Sequence, residues 1–402
     1  MHRMKIRVAV TMAAAVMIVA ACGGSAATKA PATAAPGTAA PATAAPASAA
    51  PASAAAVDWK TATSAGDGGV DAVCAAGKAE GTLNTIALPP DWANYGQMMD
   101  DFTAKYGIKI TNDQPDVDSQ TEITTAKQLA GTGRQPDTFD LAPVVALANL
   151  DMFAPYQPVT WADIPDANKD AAGTWINSYT GYISVGYDAS LGDIKNLADL
   201  ADPKYRGKIA MNGDPLKASA GFNSVVLAAL ANGGSADNIQ PGIDFWKKLA
   251  ESGNFVPLNP APATIASGQT PIVLDWTYNN ASVIDSQSKA GVDWKVVVPA
   301  DAPPVSSFYM ATINKDAAHP AAARCWVEYL FSDAGQNTWL KGFATPVRLP
   351  AMIAAGTADK DALAAINPPT TAPVQLTLEQ IDAAKKLLTD PTNGWNFISI
   401  PD

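Results

Sequence analysis

The sequence predicts an α/β fold in two lobes, with strands crossing between them. Three observations carry that expectation. From residue 81 onward, strand-like and helix-like segments alternate, the order that builds parallel sheets covered by helices. The aromatic stretch INSYTGYISVGYD, 176 to 188, alternates like a strand but has no helix after it, which suits a passage into a second lobe. PPVSSFYMATINKD, 303 to 316, reads as a strand that returns.

The first lobe is expected over 57–180. Residues 70–80 (VDAVCAAGKAE) read as a helix, and GTLNTIAL (81–88) as a strand that stops on Pro89-Pro90. In NYGQMMDDFTAKYG, Tyr95, Met98, Met99, Phe102 and Tyr106 recur at helical spacing, and Gly107 ends the pattern. IKITND, SQTEITTAKQLAGTG and DTFDLAP follow as strand, helix and strand. The second lobe is expected over 181–303. There NLADLADPKYRGKIAMNGDP reads as a short helix, a turn and a strand, and KASAGFNSVVLAALANGG and IQPGIDFWKKLAESG read as helices. ATIASGQTPIVLDWTYNNAS gives a helix, a strand and a loop, and WKVVVPA a strand. Residues 304–402 are expected to return to the first lobe and end in helices, one over 319–342 and one over 376–390.

Residues 1–21 read as an export signal. Arg3, Lys5 and Arg7 precede a run of small and apolar residues from Val8 to Ala21 that is short for a membrane span. Val19-Ala20-Ala21-Cys22 resembles the bacterial lipobox, in which the cysteine is acylated after cleavage and becomes the new N-terminus. Residues 22–56 repeat APATAAP and APASAAP, a composition that cannot bury a core and whose prolines keep it extended. The expectation is a protein outside the cytoplasm, lipid-anchored to the cell membrane through Cys22 and a spacer.

Loss of the signal leaves 24 basic side chains against 38 acidic ones. Such a surface repels phosphate backbones, so nucleic acid is not an expected partner. With Cys22 lipidated, Cys74 and Cys325 remain. Outside the cytoplasm an isolated pair is a disulfide candidate, with two buried free thiols as the alternative.

GTLNTIALPPDWANYGQMMDDFTAKYGIKI, LADLADPKYRGKIAMNGDP, SGQTPIVLDWTYNNA and HPAAARCWVEYLFSDAGQNTWLKGFATPVRLPAM together resemble the extracellular solute-binding proteins of ABC importers. The likeness covers residues 80–350 and is greatest to the large two-lobed branch that includes polyamine, ferric-iron, thiamine and aminophosphonate binders. It implies a type 2 periplasmic-binding-protein fold. It further implies that a small-molecule solute closes the lobes about a hinge near 179–187 and 303–311, and that the closed, monomeric form docks on permease subunits.

In open α/β sheets, ligands meet the loops beyond the carboxyl ends of the strands. The candidate ligand residues are therefore Asp91, Trp92, Tyr95 and Ser119 in the first lobe, and Asn212, Asp214, Ser219, Asp275, Trp276 and Tyr278 in the second, with Tyr309 on the return strand. The bland readings are that Asp91 caps the helix beginning near Asn94 and that Trp92 and Tyr95 are core. Two acid-plus-aromatic clusters facing each other suit an organic cation, because aromatic faces attract ammonium groups and a carboxylate supplies the counter-charge. The resemblance implies more for Trp92, Tyr95, Trp276 and Asp275, which match by position the box that polyamine-binding relatives form around a methylene chain. Here, however, the acid precedes the second tryptophan.

Ferric-iron relatives use neighbouring tyrosines, whereas Tyr182, Tyr187 and Tyr278 are isolated in this sequence. An aminophosphonate or other anion would favour Ser219-Ala220-Gly221 at a helix start; the plain reading of that stretch is a serine cap with small residues for close packing. Thiamine stays open. No cofactor and no metal is expected. A cell-surface hydrolase using the paired carboxylates Asp91 and Asp275 is the alternative of another class, but His319 is the one histidine beyond the signal and has no neighbouring acid or cysteine at a spacing that suits catalysis. A protein-binding scaffold would show repeats or a large apolar patch in its folded part, and the repeats lie only in the spacer. Arg348, in TPVRLPAM, reads as a salt-bridge residue, with a place in the cleft as the alternative.

Overall fold

A computed structural model describes residues 57–366 and 371–400. The first lobe opens with α1 (Gly69–Glu80), β1 (Thr82–Ile86), α2 (Tyr95–Tyr106), β2 (Lys109–Asp113), α3 (Ser119–Gln128) and β3 (Thr138–Leu141). Short α4 (Pro143–Leu147) and β4 (Phe153–Ala154) lead to the long β5 (Ile176–Asp188). The second lobe holds β6 (Ile209–Met211), α5 (Ser219–Ala231), α6 (Gln240–Glu251), α7 (Pro262–Ala266), β7 (Ile272–Trp276), α8 (Thr277–Ser282), α9 (Ile284–Lys289) and β8 (Trp294–Val297). The chain returns through β9 (Ser306–Asn314) to α10 (Pro320–Leu330), α11 (Asp333–Lys341), β10 (Thr345–Pro346), α12 (Leu349–Ala355) and α13 (Lys360–Ile366), and α14 (Leu378–Leu388) comes last.

One strand serves both sheets. β5 pairs antiparallel with β9 as far as Tyr182↔Ser306, then with β7 from Ile183↔Trp276 to Tyr187↔Ile272, and with β8 alongside. The resulting order is β3-β9-β5-β7-β6. β1 pairs in parallel with β2 and lies beside β3, where the Asp137 N–H donates to the Asn84 carbonyl at 2.8 Å. The strand buried on both faces in the middle of this arrangement is β5, as its mixture of Ile, Val and Tyr requires. Both lobes are thus α/β units in which helices cover sheet faces.

Helix α2 buries Tyr95, Met98 and Phe102 on one stripe and ends at Gly107, which adopts φ 68°. α1 lies against α10. A Cβ at Gly77 would sit 2.9 Å from the Ala322 Cα, so glycine is what lets the two helices approach this closely. At that contact Cys74 and Cys325 form a disulfide across 251 residues of sequence. Phe102 packs edge-on against Trp326, with ring centroids 5.1 Å apart, and locks α2 to the same pair.

Several local expectations differ from what forms. The helix expected over 319–342 is broken at Ser332, whose hydroxyl accepts from the Gly335 N–H at 3.2 Å and starts α11 anew. Residues 197–205 coil as 3-10 turns, and the loop expected after β7 is the helix α8. The segment 371–400 does not stay with the first lobe. Val374 bridges to Val305, Trp395 packs on Phe255 at 6.3 Å, and Gln240 donates to the Asn393 carbonyl at 3.0 Å. The export signal, Cys22 and the spacer fall outside the described residues. Among the described residues, no helix is long and apolar enough to cross a membrane.

Candidate functional site: the interlobe cleft

Between the sheets, at the carboxyl ends of their strands, lies a cleft of about 1010 Å³. Its first wall begins where β1 ends. Ala87, Ala93 and Asn94 all take positive φ (55°, 46° and 67°), although none is glycine. Non-glycine residues in that region are costly, and clusters of them mark loops whose shape is held for a purpose. Here the strained turn carries Asp91 and Trp92 to the cleft surface. Asp91 is exposed there, and the cap of α2 is Asn94, with no side-chain cap bond.

Trp92 is fixed from behind. Its indole N–H donates to the Tyr179 hydroxyl at 2.8 Å, and that hydroxyl donates to Asp140 Oδ2 at 3.1 Å. Trp92 also stands edge-on to Tyr278 (5.5 Å) and Tyr309 (5.9 Å). Asp140, at the cleft end of β3, is 8% exposed. Burial pushes its carboxyl up to about 6, against the opposing hydrogen bonds of Tyr95, Tyr179 and Ser178. Beside it Glu122 is 1% exposed and lines the same cleft from α3.

The second wall centres on Asp275 at the end of β7, 7% exposed. It accepts from Asn212 Nδ2 at 2.8 Å, from Asn279 Nδ2 at 3.2 Å and from the Trp276 N–H at 2.6 Å. Even so, burial dominates and raises its carboxyl to about 7. Tyr309 senses both walls: its phenol is made harder to ionise by burial first, then by Asp140 and Asp275.

The residues expected from sequence divide by depth. Asp91, Trp92, Ser119, Asn212, Asp214, Ser219 and Asp275 line the cleft, whereas Tyr95, Trp276 and Tyr278 do not. Tyr95 is packed beneath Tyr179 and Trp339, and Trp276 stacks under Tyr278 at 6.2 Å. They support the cleft floor. Asp214 turns its carboxylate inward, accepting from the Leu216 N–H at 2.9 Å. Ser219 is not the cap of α5, a place held by Ala218; its neighbour Gly221 is needed because a Cβ there would meet the Gly213 carbonyl at 2.3 Å.

Sequence reasoning passed over Asp140, Glu122 and Tyr179. An acid inside the otherwise apolar strand TFDL was the available signal for Asp140. Glu122 sits inside the helical segment SQTEITTAKQLAGTG, past the strand ends that sequence reasoning searched; α3 is capped by Asp118, which accepts from the Thr121 N–H at 2.7 Å. Away from the cleft, His319 Nδ1 lies 2.9 Å from Asp137 Oδ2, a partner that sequence spacing hides, and Arg348 joins Asp163 and Asp333 at 2.6 and 2.9 Å. Among the described residues, no three His, Cys, Asp or Glu side chains converge as a metal-holding group.

Residues 144–369 match the family model described as bacterial extracellular solute-binding protein. Solved structures of similar fold include the apo ferric ion-binding protein A of Pasteurella haemolytica, 17% identical, covering 77% of this chain and 96% of that one with a TM-score of 0.57. Iron-bound HitA from Pseudomonas aeruginosa is 20% identical over 76% of this chain and 98% of its own, with a TM-score of 0.55. AfuA from Actinobacillus pleuropneumoniae, with fructose-6-phosphate bound, is 17% identical over 67% and 85%, with a TM-score of 0.53. No curated protein matches the chain by sequence.

Proposed function

Because the chain belongs to the bacterial extracellular solute-binding proteins, the solute-capturing components of ABC importers, we propose that it captures a small organic cation between its lobes and presents it to a permease. The observation that carries this reading is the pair of buried carboxylates, Asp140 and Asp275, brought from opposite lobes to one cleft that Trp92 and Tyr309 also line. With that pair included, the lining holds seven carboxylates against two lysines. A field of that sign attracts ammonium groups and repels phosphates. Two acids on opposite walls suit a solute with amines at both ends, which is why a polyamine leads among organic cations.

The fold neighbours hold other things, iron in HitA and fructose-6-phosphate in AfuA. A sugar phosphate asks for cationic side chains, of which this lining has few. A ferric ion asks for phenolate oxygens, and burial makes the phenols of Tyr179, Tyr278 and Tyr309 harder to ionise. The same reading extends to the N-terminal segments: export through residues 1–21, a lipid anchor on Cys22, and a monomer held to the membrane by its spacer.

Thermal unfolding against a panel of polyamines, choline, thiamine, ferric citrate, aminophosphonates and sugars tests the ligand class. At a hundred times its dissociation constant a true ligand adds about 2.7 kcal/mol, and the expected result is a shift of several degrees with amines alone. Trp92→Ala removes the one aromatic face that is both exposed to the cleft and tied to Asp140. We expect about 1–2 kcal/mol of lost affinity, a rise in Kd of roughly five- to thirtyfold. Trp92→Phe keeps a face and loses the bond to Tyr179, so its effect should be the smaller one. Unchanged affinity in Trp92→Ala would remove this wall from the site.

A further inference from the structure

Glu122 is used by nothing described so far, and its environment is unusual. It sits in the first turns of α3, 1% exposed, on the lining of the cleft. Its Oε2 is buried without a hydrogen-bond partner. A buried carboxylate oxygen left unpartnered is expensive, and such groups persist where something else completes them. The groups that act on Glu122 are burial first, then Asp140, then the Asp140 backbone N–H and the Ser119 hydroxyl, and last Asp118. None of them is a cation. Ser119 is itself held, its Oγ accepting from the Ala142 N–H at 3.0 Å, so the serine fixes Glu122 between α3 and β3.

We propose that Glu122 and Asp140 together form the seat for an ammonium group of the solute in the first lobe, and that Glu122 keeps a proton which the arriving cation displaces. The inference rests on the organic-cation reading and adds to it a residue and a proton. Two neighbouring buried carboxyls cannot both ionise at little cost. Burial and Asp140 hold the Glu122 carboxyl well above the ordinary range, while Asp140 receives Tyr179 and Ser178 hydroxyls at 3.1 and 3.3 Å and is the better prepared anion of the two. Tyr95 and Tyr309, the titratable groups of α2 and β9 that feel Glu122, stay neutral phenols.

The step balances simply. An R–NH₃⁺ group enters beside the protonated Glu122 carboxyl; the O–H bond of Glu122 breaks, its electron pair stays on the carboxylate, and the proton leaves to solvent. The ammonium then donates to Glu122 Oε2, the atom that lacked a partner. Asp275 is the matching acid in the other lobe, so a diamine would span from one buried carboxylate to the other.

The test is calorimetric titration of the purified protein with spermidine and putrescine at pH 7, in phosphate and in Tris, whose ionisation enthalpies differ. The wild-type protein should release close to one proton more than Glu122→Gln does for each ligand bound, and Glu122→Gln should bind at least tenfold more weakly with a flatter dependence of Kd on pH. Carboxyl ¹³C titration of the unliganded protein gives an independent reading: Glu122 should still carry its proton at pH 7. A Glu122 ionised at pH 7, or a Glu122→Gln protein with unchanged affinity and proton count, overturns the seat while leaving the organic-cation reading standing. A wild-type protein that binds neither amine, nor choline, overturns both.

Discussion

Asp275→Asn should abolish tight capture of a cation, raising Kd at least about a hundredfold, because it removes the charge from the buried acid on which the second wall centres. The same substitution should change how stability depends on pH. Asp275 titrates near 7 in the folded protein instead of at the ordinary 3.8. For an acid whose folded value is raised, the contribution to stability is fully present below the unfolded value and is lost as pH rises through the folded one. The unliganded protein should therefore lose stability between about pH 4 and pH 8, with Asp140, raised to about 6, adding in the same direction. For Asp275 alone the loss is on the order of 4 kcal/mol, from a rise from 3.8 to about 7 at about 1.36 kcal/mol for each pH unit. Asp275→Asn should flatten the upper part of that profile, and an amine ligand should restore stability at pH 8 in the wild type but not in the variant. Urea unfolding at pH 5 and pH 8 checks both arms.

The disulfide gives the second large effect. Cys74 and Cys325 close a loop of 251 residues, for which chain entropy nominally gives about 5 kcal/mol, with measured effects of this kind falling within about 2–5 kcal/mol. Its position matters as much as its length. α1 and α10 form the back of the first lobe, where Phe102, Trp326 and Tyr329 interlock, and the bridge ties the first helix to one that arrives after the whole second lobe. Replacing both cysteines by serine should lower the melting temperature by roughly 5–10 degrees for a folded unit of this size, while leaving the affinity of the correctly folded fraction unchanged, since neither residue lines the cleft. The denatured, unreduced protein should expose no free thiol from this pair.

Much of the fold was legible because strands and helices announce themselves by period. β5 matched its aromatic alternation over 176–188, and α2 its stripe of Tyr95, Met98 and Phe102 with Gly107 as stop. What escaped was what depends on tertiary contact. Ser332 breaks a helix that periodicity would continue, and residues 371–400 cross to the second lobe because Trp395 finds Phe255 there. The cleft was legible in outline, since strand ends are readable, but its depth was not. Trp92 and Trp276 look equivalent in sequence, each beside an aspartate after a strand; the structure leaves Trp92 at the surface and puts Trp276 wholly beneath it. Asp140 and Glu122 were missed for a related reason, that burial of an acid is decided by the neighbours which fold over it.

The measurement that bears most directly on the central claim is calorimetric titration at pH 8 with spermidine, putrescine and choline, set against fructose-6-phosphate, an aminophosphonate and ferric citrate. Binding of at least one amine in a one-to-one complex at micromolar Kd or below, weakened by Trp92→Ala and lost in Asp275→Asn, is the result expected from a cleft whose two lobes each bring a buried carboxylate to an aromatic wall. Tight binding of a phosphate-bearing or ferric ligand, with none of the amines bound, would contradict it.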